Sequence, residues 1–370
     1  MNRCTLLVDG NWLMMSRLPS VYNQFRSECP DFIKEAAMEN LVESMLTSIN
    51  VILNKFSGTV DNMIFVADGF SWRKRLEVPT QLGDTKYKGN RVKTEDMDWS
   101  YIYRSIDHIT EGLKKNNCTV SRSQSAEGDD WMWYWSCRLN SMGVNCIIWS
   151  TDNDLKQLVK YDGQSFTAWY NDFNGLYLPK CMEEGPESDI DFFMQFTQNS
   201  TYELLKSSVS QVNYIRPELI VMDKIICGDS SDNIKSIVTQ EKNGKTYRIT
   251  EKFWNQYREE RGIEDLSDFF NSEDIIIEDL IKLKNSTDTL EDICKRFDYN
   301  RRLVWLDESS YPPEVLMQFE VDSEYSQFDI DFVLNNYKTM DTTYQNDEVV
   351  GNFLSLGAGA VIRQESKVSS

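Results

Sequence analysis

The chain has 370 residues, of which 41% are hydrophobic and 12% aromatic, and its net charge at pH 7 is −20. This composition excludes an intrinsically disordered chain and is typical of a globular protein of about two domains. No apolar run approaches the roughly 20 residues of a membrane-spanning helix. The eight cysteines include no Cys-x-x-Cys pair, which argues against a zinc or redox motif and favours a cytoplasmic location.

Strands and helices alternate along the first half of the sequence. Short apolar stretches predict buried strands at 6–9, 63–67, 118–120, 144–149 and 166–170. Apolar faces and helical patterns predict helices at 38–56, 101–116 and 128–141. This alternation indicates an α/β fold with a central, mainly parallel sheet and helices on both faces.

The second half of the sequence lacks this alternation of strands and helices. From residue 220 onward the pattern is mostly helical, with a turn at Asn243-Gly244, and the last twenty residues read as a loose tail. We therefore expect an α/β core at 1–220, a helical lobe at 221–350, and a flexible tail at 351–370.

Acidic residues follow the predicted strands. Asp9, Asp68 and Asp152 each come just after a buried strand. Because the carboxyl ends of parallel strands line one edge of a sheet, these side chains are expected to share a ligand-binding edge. Six more acids could join this edge. Asp154 follows Asp152 by two residues, three others open a predicted helix, and two lie in a turn. The acids at the helix start and in the turn are Glu127, Asp129, Asp130, Asp229 and Asp232.

Each acidic motif also has an ordinary explanation, as a turn after a strand or as a helix cap. The combination is harder to explain in this way. Two unit charges about 4 Å apart repel by roughly 4 kcal/mol at an effective dielectric constant near 20. Many acids at one edge therefore require cations, and oxygen ligands without histidine indicate Mg²⁺ or Mn²⁺. Two such ions could activate water and stabilise the leaving oxygen of a phosphodiester.

A basic segment stands out in this acidic chain. Between 73 and 93 there are seven basic residues and two acidic ones: Arg73, Lys74, Arg75, Lys86, Lys88, Arg91 and Lys93 against Glu77 and Asp84. Such a run is either a solvated face or a phosphate-binding surface. The aromatic Tyr87 beside these cations suits single-stranded DNA.

The order of these motifs resembles the flap endonuclease/5′→3′ exonuclease family, and within it the phage type called ribonuclease H. The matching motifs, in chain order, are Val8-Asp9-Gly10, Ala67-Asp68-Gly69, Trp72-Arg73, Tyr87-Lys88-Gly89-Asn90-Arg91, Glu127-Gly128-Asp129-Asp130, Ser150-Thr151-Asp152-Asn153-Asp154 and Gly228-Asp229-Ser230-Ser231-Asp232-Asn233. The resemblance extends to Tyr299-Asn300-Arg301-Arg302-Leu303-Val304 and covers residues 4 to about 310.

The resemblance implies a basic arch near 73–100 in the α/β core and DNA binding by the helical lobe at 221–350. It also implies roles for individual residues. The first metal would be held by Asp9, Asp68, Glu127, Asp129, Asp130 and Asp152. The second would be held or oriented by Asp154, Asp229 and Asp232. Lys88 and Arg91 would contact the scissile phosphate, Tyr87 would stack on a base near the cut, and Arg73 would support phosphate binding. Lys74 and Lys86 complete the expected nucleic-acid surface.

The resemblance also implies the reaction and its setting. The chain is expected to use two Mg²⁺ ions, with Mn²⁺ as a substitute, to hydrolyse 5′ ends, 5′ flaps or RNA primers during phage DNA replication. The expected partners are DNA and RNA/DNA with 5′ ends or flaps, together with a single-strand binding protein or a sliding clamp.

This sequence departs from the family at three places. Gly128 replaces the usual alanine, the Gly-x-Gly-x-Lys hairpin that usually follows Asn233 is absent, and residues 183–213 look inserted relative to the phage type. Two rival functions also stay open: a PIN-type ribonuclease acting on RNA, and a non-catalytic structure-specific DNA-binding subunit.

Overall fold

The structure, a computed structural model, describes residues 4–79, 86–91, 94–184, 200–242, 245–284 and 288–328. Several predictions fall outside these ranges: the basic residue Lys93, the turn at Asn243-Gly244, part of the 183–213 segment and the tail at 351–370.

One mixed sheet forms the centre of the N-terminal part. Its strands are β1 (Cys4–Asp9), β2 (Val60–Val66), β3 (Thr119–Ser121), β4 (Asn145–Trp149), β5 (Lys160–Tyr161), β6 (Phe166–Asn171), β7 (Gly175–Pro179) and β8 (Val212–Ile215). The strand order is β3-β2-β1-β4-β6-β7-β8, and β5 pairs with β6. Strand β6 is antiparallel to β5 and β7, and the other pairs are parallel. The predicted, mainly parallel sheet is confirmed.

Helices cover both faces of this sheet. They are α1 (Gly10–Arg17), α2 (Asp31–Lys55), α3 (Trp99–Lys115), α4 (Gly128–Ser141), α5 (Cys181–Glu184) and α6 (Ser200–Ser207). Alternate residues of a strand point to opposite faces. Leu6 and Val8 of β1 pack in the core that contains α1, α2 and α3. Leu7 packs in a second core with Trp131 and Trp135 of α4, so the prediction of helices on both faces is confirmed.

The C-terminal part is mostly helical, as predicted. It contains α7 (Pro217–Cys227), β9 (Thr239–Lys242), β10 (Lys245–Arg248), α8 (Glu251–Arg261), α9 (Leu266–Asn271), α10 (Glu273–Lys284), α11 (Leu290–Val304) and α12 (Pro313–Asp322). Helices α7 to α11 share a third core, which includes Met222, Trp254, Phe269 and Phe297. The antiparallel β9–β10 hairpin is a feature that the sequence pattern did not predict.

The chain returns to the α/β core after α11. On α12, Phe319 packs against Trp131 of α4 with ring centroids 4.8 Å apart. Further along, Tyr325 Oη accepts a hydrogen bond from Asn62 Nδ2 of β2 at 2.7 Å, and Phe328 joins the first core. In the sequence, the helical part at 217–304 is therefore inserted between two stretches of chain that pack in the α/β core. Among the described residues, no helix is long and apolar enough to cross a membrane.

Candidate active site

A cavity of about 1410 Å³ opens at the carboxyl edge of the sheet. Asp9 is the last residue of β1 and is in register with Val66 of β2, two residues before Asp68. Asp152 follows β4, which pairs with β1 on the other side. All three side chains line the cavity. The parallel register thus brings them to one edge, as their positions after the strands predict.

Hydrogen bonds fix two of these carboxylates. Asp9 caps α1, and its Oδ1 accepts from the backbone N of Trp12 at 2.9 Å. Its Oδ2 accepts from Ser150 Oγ at 2.7 Å. The same Ser150 hydroxyl accepts from the backbone N of Asp152 at 3.0 Å, and Asp152 Oδ1 accepts from Asp154 N at 2.9 Å. One hydroxyl therefore sets the spacing between the ends of β1 and β4.

The start of α4 brings three more acids towards this edge. Glu127 is the N-cap of α4, and its backbone N donates to Asp130 Oδ2 at 2.9 Å. Gly128 N donates to Asp68 Oδ1 at 2.7 Å, and a Cβ at Gly128 would lie 3.0 Å from that oxygen. The glycine therefore lets α4 come close to Asp68. Glu127 and Asp129 line the cavity, whereas Asp130 is fully buried and is not among the lining residues.

Glu127 accepts hydrogen bonds from four side chains in the interior. Its Oε1 accepts from Lys88 Nζ at 2.6 Å. Its Oε2 accepts from Ser71 Oγ at 2.8 Å, Arg73 Nη1 at 3.2 Å and Tyr87 Oη at 3.3 Å. Burial raises the pKa of Glu127, but Lys88 and Arg73 outweigh that effect and hold it at about 2. The negative charge of Glu127 is therefore already balanced by Lys88 and Arg73.

Two residues expected to touch nucleic acid lie in the interior. Arg73 is 2% exposed, and it donates to Asp130 Oδ1 at 2.6 Å and to the carbonyl of Leu303 at 2.9 Å. Tyr87 is 6% exposed and packs in the core of the helical lobe. A phosphate contact and a stacking platform both need an accessible surface, so this arrangement does not support those predicted roles. Arg73 instead joins the acids of α4 to the lobe. Lys74 and Lys86, by contrast, are exposed.

Lys88 and Arg91 do face the cavity, and the segment that carries them is held by the helical lobe. Lys88 N donates to the carbonyl of Asp232 at 2.9 Å, and Asn90 Nδ2 donates to the carbonyl of Ser230 at 3.1 Å. Arg91 Nη2 lies 2.5 Å from Asp232 Oδ1. Lys88 has a left-handed backbone (φ 54°), which is unfavourable for a residue other than glycine. These contacts maintain that strained turn beside the acids.

Lys224 is a site residue that the sequence analysis missed. It lies in the last turn of α7, and its Nζ donates to Asp154 Oδ1 and, at 2.5 Å, to Asp229 Oδ2. The sequence signal was a lysine five residues before Asp229. Nothing local indicates that it also reaches Asp154, which lies 70 residues away in the chain. Two of the three acids assigned to the second metal, Asp154 and Asp229, are therefore joined through an ammonium group.

Four of the predicted acids that line the cavity have no such partner. Within the described ranges, Asp9, Asp68, Asp129 and Asp152 form no ion pair. Burial, with Asp68 and Asp152 nearby, raises the pKa of Asp9 to about 7. Burial and the charge of Asp152 likewise raise the pKa of Asp129 well above its usual value. A cation among these four carboxylates would relieve their mutual repulsion.

The donor chemistry fits a hydrated divalent cation. In the part of the chain that the structure describes, no three acidic, cysteine or histidine side chains are close enough to coordinate one ion. Mg²⁺ does not require this, because it usually keeps several waters and binds one or two carboxylates together with substrate phosphates. The four unpaired carboxylates supply that kind of ligand. At Asp154, Asp229 and Asp232, a second cation would first have to displace Lys224 or Arg91.

No protein-family model matches the chain, and no curated protein matches it. Solved structures do. A complex of the bacteriophage T5 flap endonuclease with DNA and metal ions superposes with a TM-score of 0.50 at 18% identity, covering 86% of this chain and 97% of that chain. The T5 5′-exonuclease with bound zinc ions gives a TM-score of 0.50 at 17% identity, covering 86% of this chain and 98% of that one. The motif resemblance is thus confirmed for the fold: this chain folds as the phage 5′-exonuclease and flap endonuclease structures do.

Proposed function

We propose that the chain is a divalent-metal-dependent nuclease that hydrolyses phosphodiester bonds at 5′ ends or 5′ flaps. One observation carries the proposal: four carboxylates that form no ion pair with any described residue line an open cavity, and Lys88 and Arg91 face the same cavity. Acids that repel one another across a cavity need cations, and cations beside an ammonium and a guanidinium suit a phosphate.

The residues have separate tasks in this proposal. One or two of Asp9, Asp68, Asp129 and Asp152 would bind the divalent cation directly and the others through its water ligands, and a bound cation would polarise the phosphoryl oxygen and make a water more acidic. Lys88 moves from Glu127 towards the scissile phosphate and stabilises the charge that develops as the P–O bond breaks. Arg91, whose side chain is 59% exposed, binds a neighbouring phosphate through its planar fork of donors. Glu127, Asp130 and Arg73 hold α4 and the lobe in place.

The finer features of the proposal follow from the family resemblance. Asp154, Asp229 and Asp232 bind or orient a second cation once substrate draws Lys224 and Arg91 away. Mg²⁺ is the proposed metal, with Mn²⁺ as a substitute. RNA primers on DNA are proposed substrates, and phage replication in the host cytoplasm is the proposed setting. A single-strand binding protein or a sliding clamp is a proposed partner.

The two rival functions have less support. A PIN-type ribonuclease does not need the strained turn at 87–90 that is docked on the helical lobe. A non-catalytic DNA-binding subunit gains nothing from Asp9, Asp68, Asp129 and Asp152, because unpaired acids at a DNA-binding surface only repel phosphate. A cleavage assay separates all three.

The test is incubation with Mg²⁺ and three 5′-labelled substrates: a 5′-flap duplex, a nicked duplex and an RNA primer annealed to DNA. A single-stranded RNA of matched sequence serves as the control. We expect cleavage at the flap junction or from the 5′ end, and none in EDTA. Cleavage of the single-stranded RNA alone would favour the PIN-type ribonuclease, and tight binding without any cleavage would favour the binding subunit.

A further inference from the structure

Phe70 is an exposed aromatic residue in the wall of the cavity that the proposed mechanism does not use. It lies two residues after Asp68, it lines the cavity, and it is 50% exposed. Single exposed apolar residues are common on protein surfaces. Phe70 differs from such residues because its position is fixed and because cations flank its ring.

The neighbours of Phe70 are both anchored. Gly69 donates its backbone N–H to the carbonyl of Ala126 at 3.0 Å, and a Cβ at Gly69 would lie 1.5 Å from the carbonyl oxygen of Ser123. Ser71 on the other side is 2% exposed and donates its hydroxyl to Glu127 at 2.8 Å. The backbone of Phe70 is therefore held between two tightly packed residues, and its ring is presented to the cavity.

Two cations lie against the Phe70 ring. The Nζ of Lys74 is 5.7 Å and the guanidinium carbon of Arg75 is 5.4 Å from its centroid. Both side chains belong to exposed residues, and neither forms an ion pair with a described carboxylate. An aromatic face with unneutralised cations beside it is the usual platform for an unpaired base and the phosphates next to it.

We propose that Phe70 stacks on an unpaired nucleobase of the substrate, with Lys74 and Arg75 on the adjoining phosphates. This inference rests on the proposed nuclease function and adds which part of the substrate enters the cavity. Bases inside a duplex are stacked on one another, so only an unpaired base or a terminal base pair presents a face to Phe70. The cations beside the ring favour the unpaired base, which has phosphates next to it in a flexible strand. The occupant is therefore a single-stranded 5′ tail beside the acids.

Binding measured in EDTA tests this without cleavage. The probes are a fluorescently labelled hairpin duplex with a 5′ unpaired tail and the same hairpin with a blunt end. The variants are Phe70→Ala, Phe70→Leu and Phe70→Trp. Phe173→Ala is the matched control, because Phe173 is 86% exposed and does not line the cavity. Thermal unfolding should be the same for all four variants, since both rings are exposed.

We expect Phe70→Ala and Phe70→Leu to weaken binding of the tailed hairpin by roughly five- to a hundredfold. Phe70→Trp and Phe173→Ala should keep the affinity, and the blunt hairpin should bind equally to all. An abasic site, moved through the tail one position at a time, should weaken wild-type binding at one position and have no further effect in Phe70→Ala.

Three results would overturn the inference: unchanged tail affinity in Phe70→Ala, an equal loss on the blunt hairpin, or an abasic penalty that is the same with and without Phe70. A wild-type chain that does not prefer the tailed hairpin overturns it as well. If any of these occurs while Mg²⁺-dependent flap cleavage is normal, the stacking role fails and the proposed function stands. If cleavage fails and the Phe70-dependent tail binding is found, the proposed function fails instead.

Discussion

The predicted acidic site residues fall into two groups according to their partners. Glu127, Asp130, Asp154, Asp229 and Asp232 each form an ion pair with a lysine or an arginine. Asp9, Asp68, Asp129 and Asp152 form none with a described residue. The first group is neutralised by the protein itself, whereas a cation from solution would relieve the repulsion within the second group. Substitution of one residue from each group should therefore change cleavage and stability in different ways.

Asp152→Asn tests the unpaired group. We expect Mg²⁺-dependent cleavage to fall roughly a hundredfold or more, which is the usual cost of losing one charged group that acts on the transition state. The fold should be retained, because asparagine caps a helix about as well as aspartate and can still accept the hydrogen bond from Asp154 N. Without metal, the unfolding temperature should stay equal or rise, since the charge of Asp152 repels those of Asp9 and Asp129.

Single-turnover cleavage and thermal unfolding in EDTA measure the two effects. Asp298→Asn, an exposed position on α11, is the control for a lost negative charge outside the cavity. Full activity of Asp152→Asn with Mg²⁺ would remove Asp152 from the metal site, and a large fall in its unfolding temperature would show a structural role instead.

At the scale of elements, the cavity is formed where the core meets the lobe. The turn at 86–91 docks on the turn at 229–234, and α7 docks on the 3₁₀ segment Asn153–Leu158 through Lys224. Sequence reasoning placed both turns near the site but could not show that they touch. The contacts join residues 70 to 147 positions apart, and no local pattern encodes such pairs.

Lys224→Met tests the bridge between α7 and the core. Its loss leaves Asp154 and Asp229 unpaired, so we expect the metal-free free energy of unfolding to fall by about 1–3 kcal/mol. Mg²⁺ should then raise the unfolding temperature more in this variant than in the wild type, because a cation no longer competes with the ammonium. Chemical denaturation with and without Mg²⁺ measures both quantities.

Lys295→Met is the matched control, since Lys295 pairs with Glu291 on an exposed face of α11. We expect it to change the free energy of unfolding by less than about 0.5 kcal/mol. A Lys224→Met variant that matches this control, or whose response to Mg²⁺ equals that of the wild type, would show that the bridge contributes nothing to either property.

For the molecule as a whole, most of the fold followed from the sequence. The predicted strands at 6–9, 63–67 and 144–149 correspond to β1, β2 and β4, because their apolar runs are long enough to indicate burial. The strands β7 and β8 were missed because they are short, and because β7 begins with a glycine and ends with a proline, two residues that are depleted in strands. The interior positions of Arg73 and Tyr87 were missed for another reason: a basic run looks solvated until its buried partners are known.

The stability of the metal-free protein should depend on pH, because burial raises the pKa of several carboxyl groups. A carboxyl whose folded pKa is raised contributes stability below its unfolded pKa and loses it as pH rises through the folded pKa. Asp9, with a pKa of about 7, and Asp223, raised to about 6 by burial, are such groups. Glu127 and Asp229, at about 2, act in the opposite direction only below pH 4 or 5.

We therefore expect the unfolding temperature in EDTA to fall between pH 5 and about pH 7.5. Asp9→Asn should show a smaller fall over this range because one of the titrating groups is gone, and Asp298→Asn should follow the wild type. A wild-type unfolding temperature that rises over the range, or an Asp9→Asn slope equal to that of the wild type, contradicts the pKa shifts.

The return of the chain to the core after α11 restricts how the helical lobe can move. The lobe is connected through two crossings, one at Pro217 after β8 and one at Leu306. The second crossing is clamped by Gln157, which donates to the carbonyl of Val304 at 3.1 Å and accepts from Leu306 N at 2.8 Å. A body with one connection can turn in any direction, but two connections leave rotation about the line through them as the easiest motion. Rotation of the lobe about this line would widen or narrow the cavity, and it would first have to break the contacts of Lys224 with Asp154 and of the turn at 86–91 with Asp232.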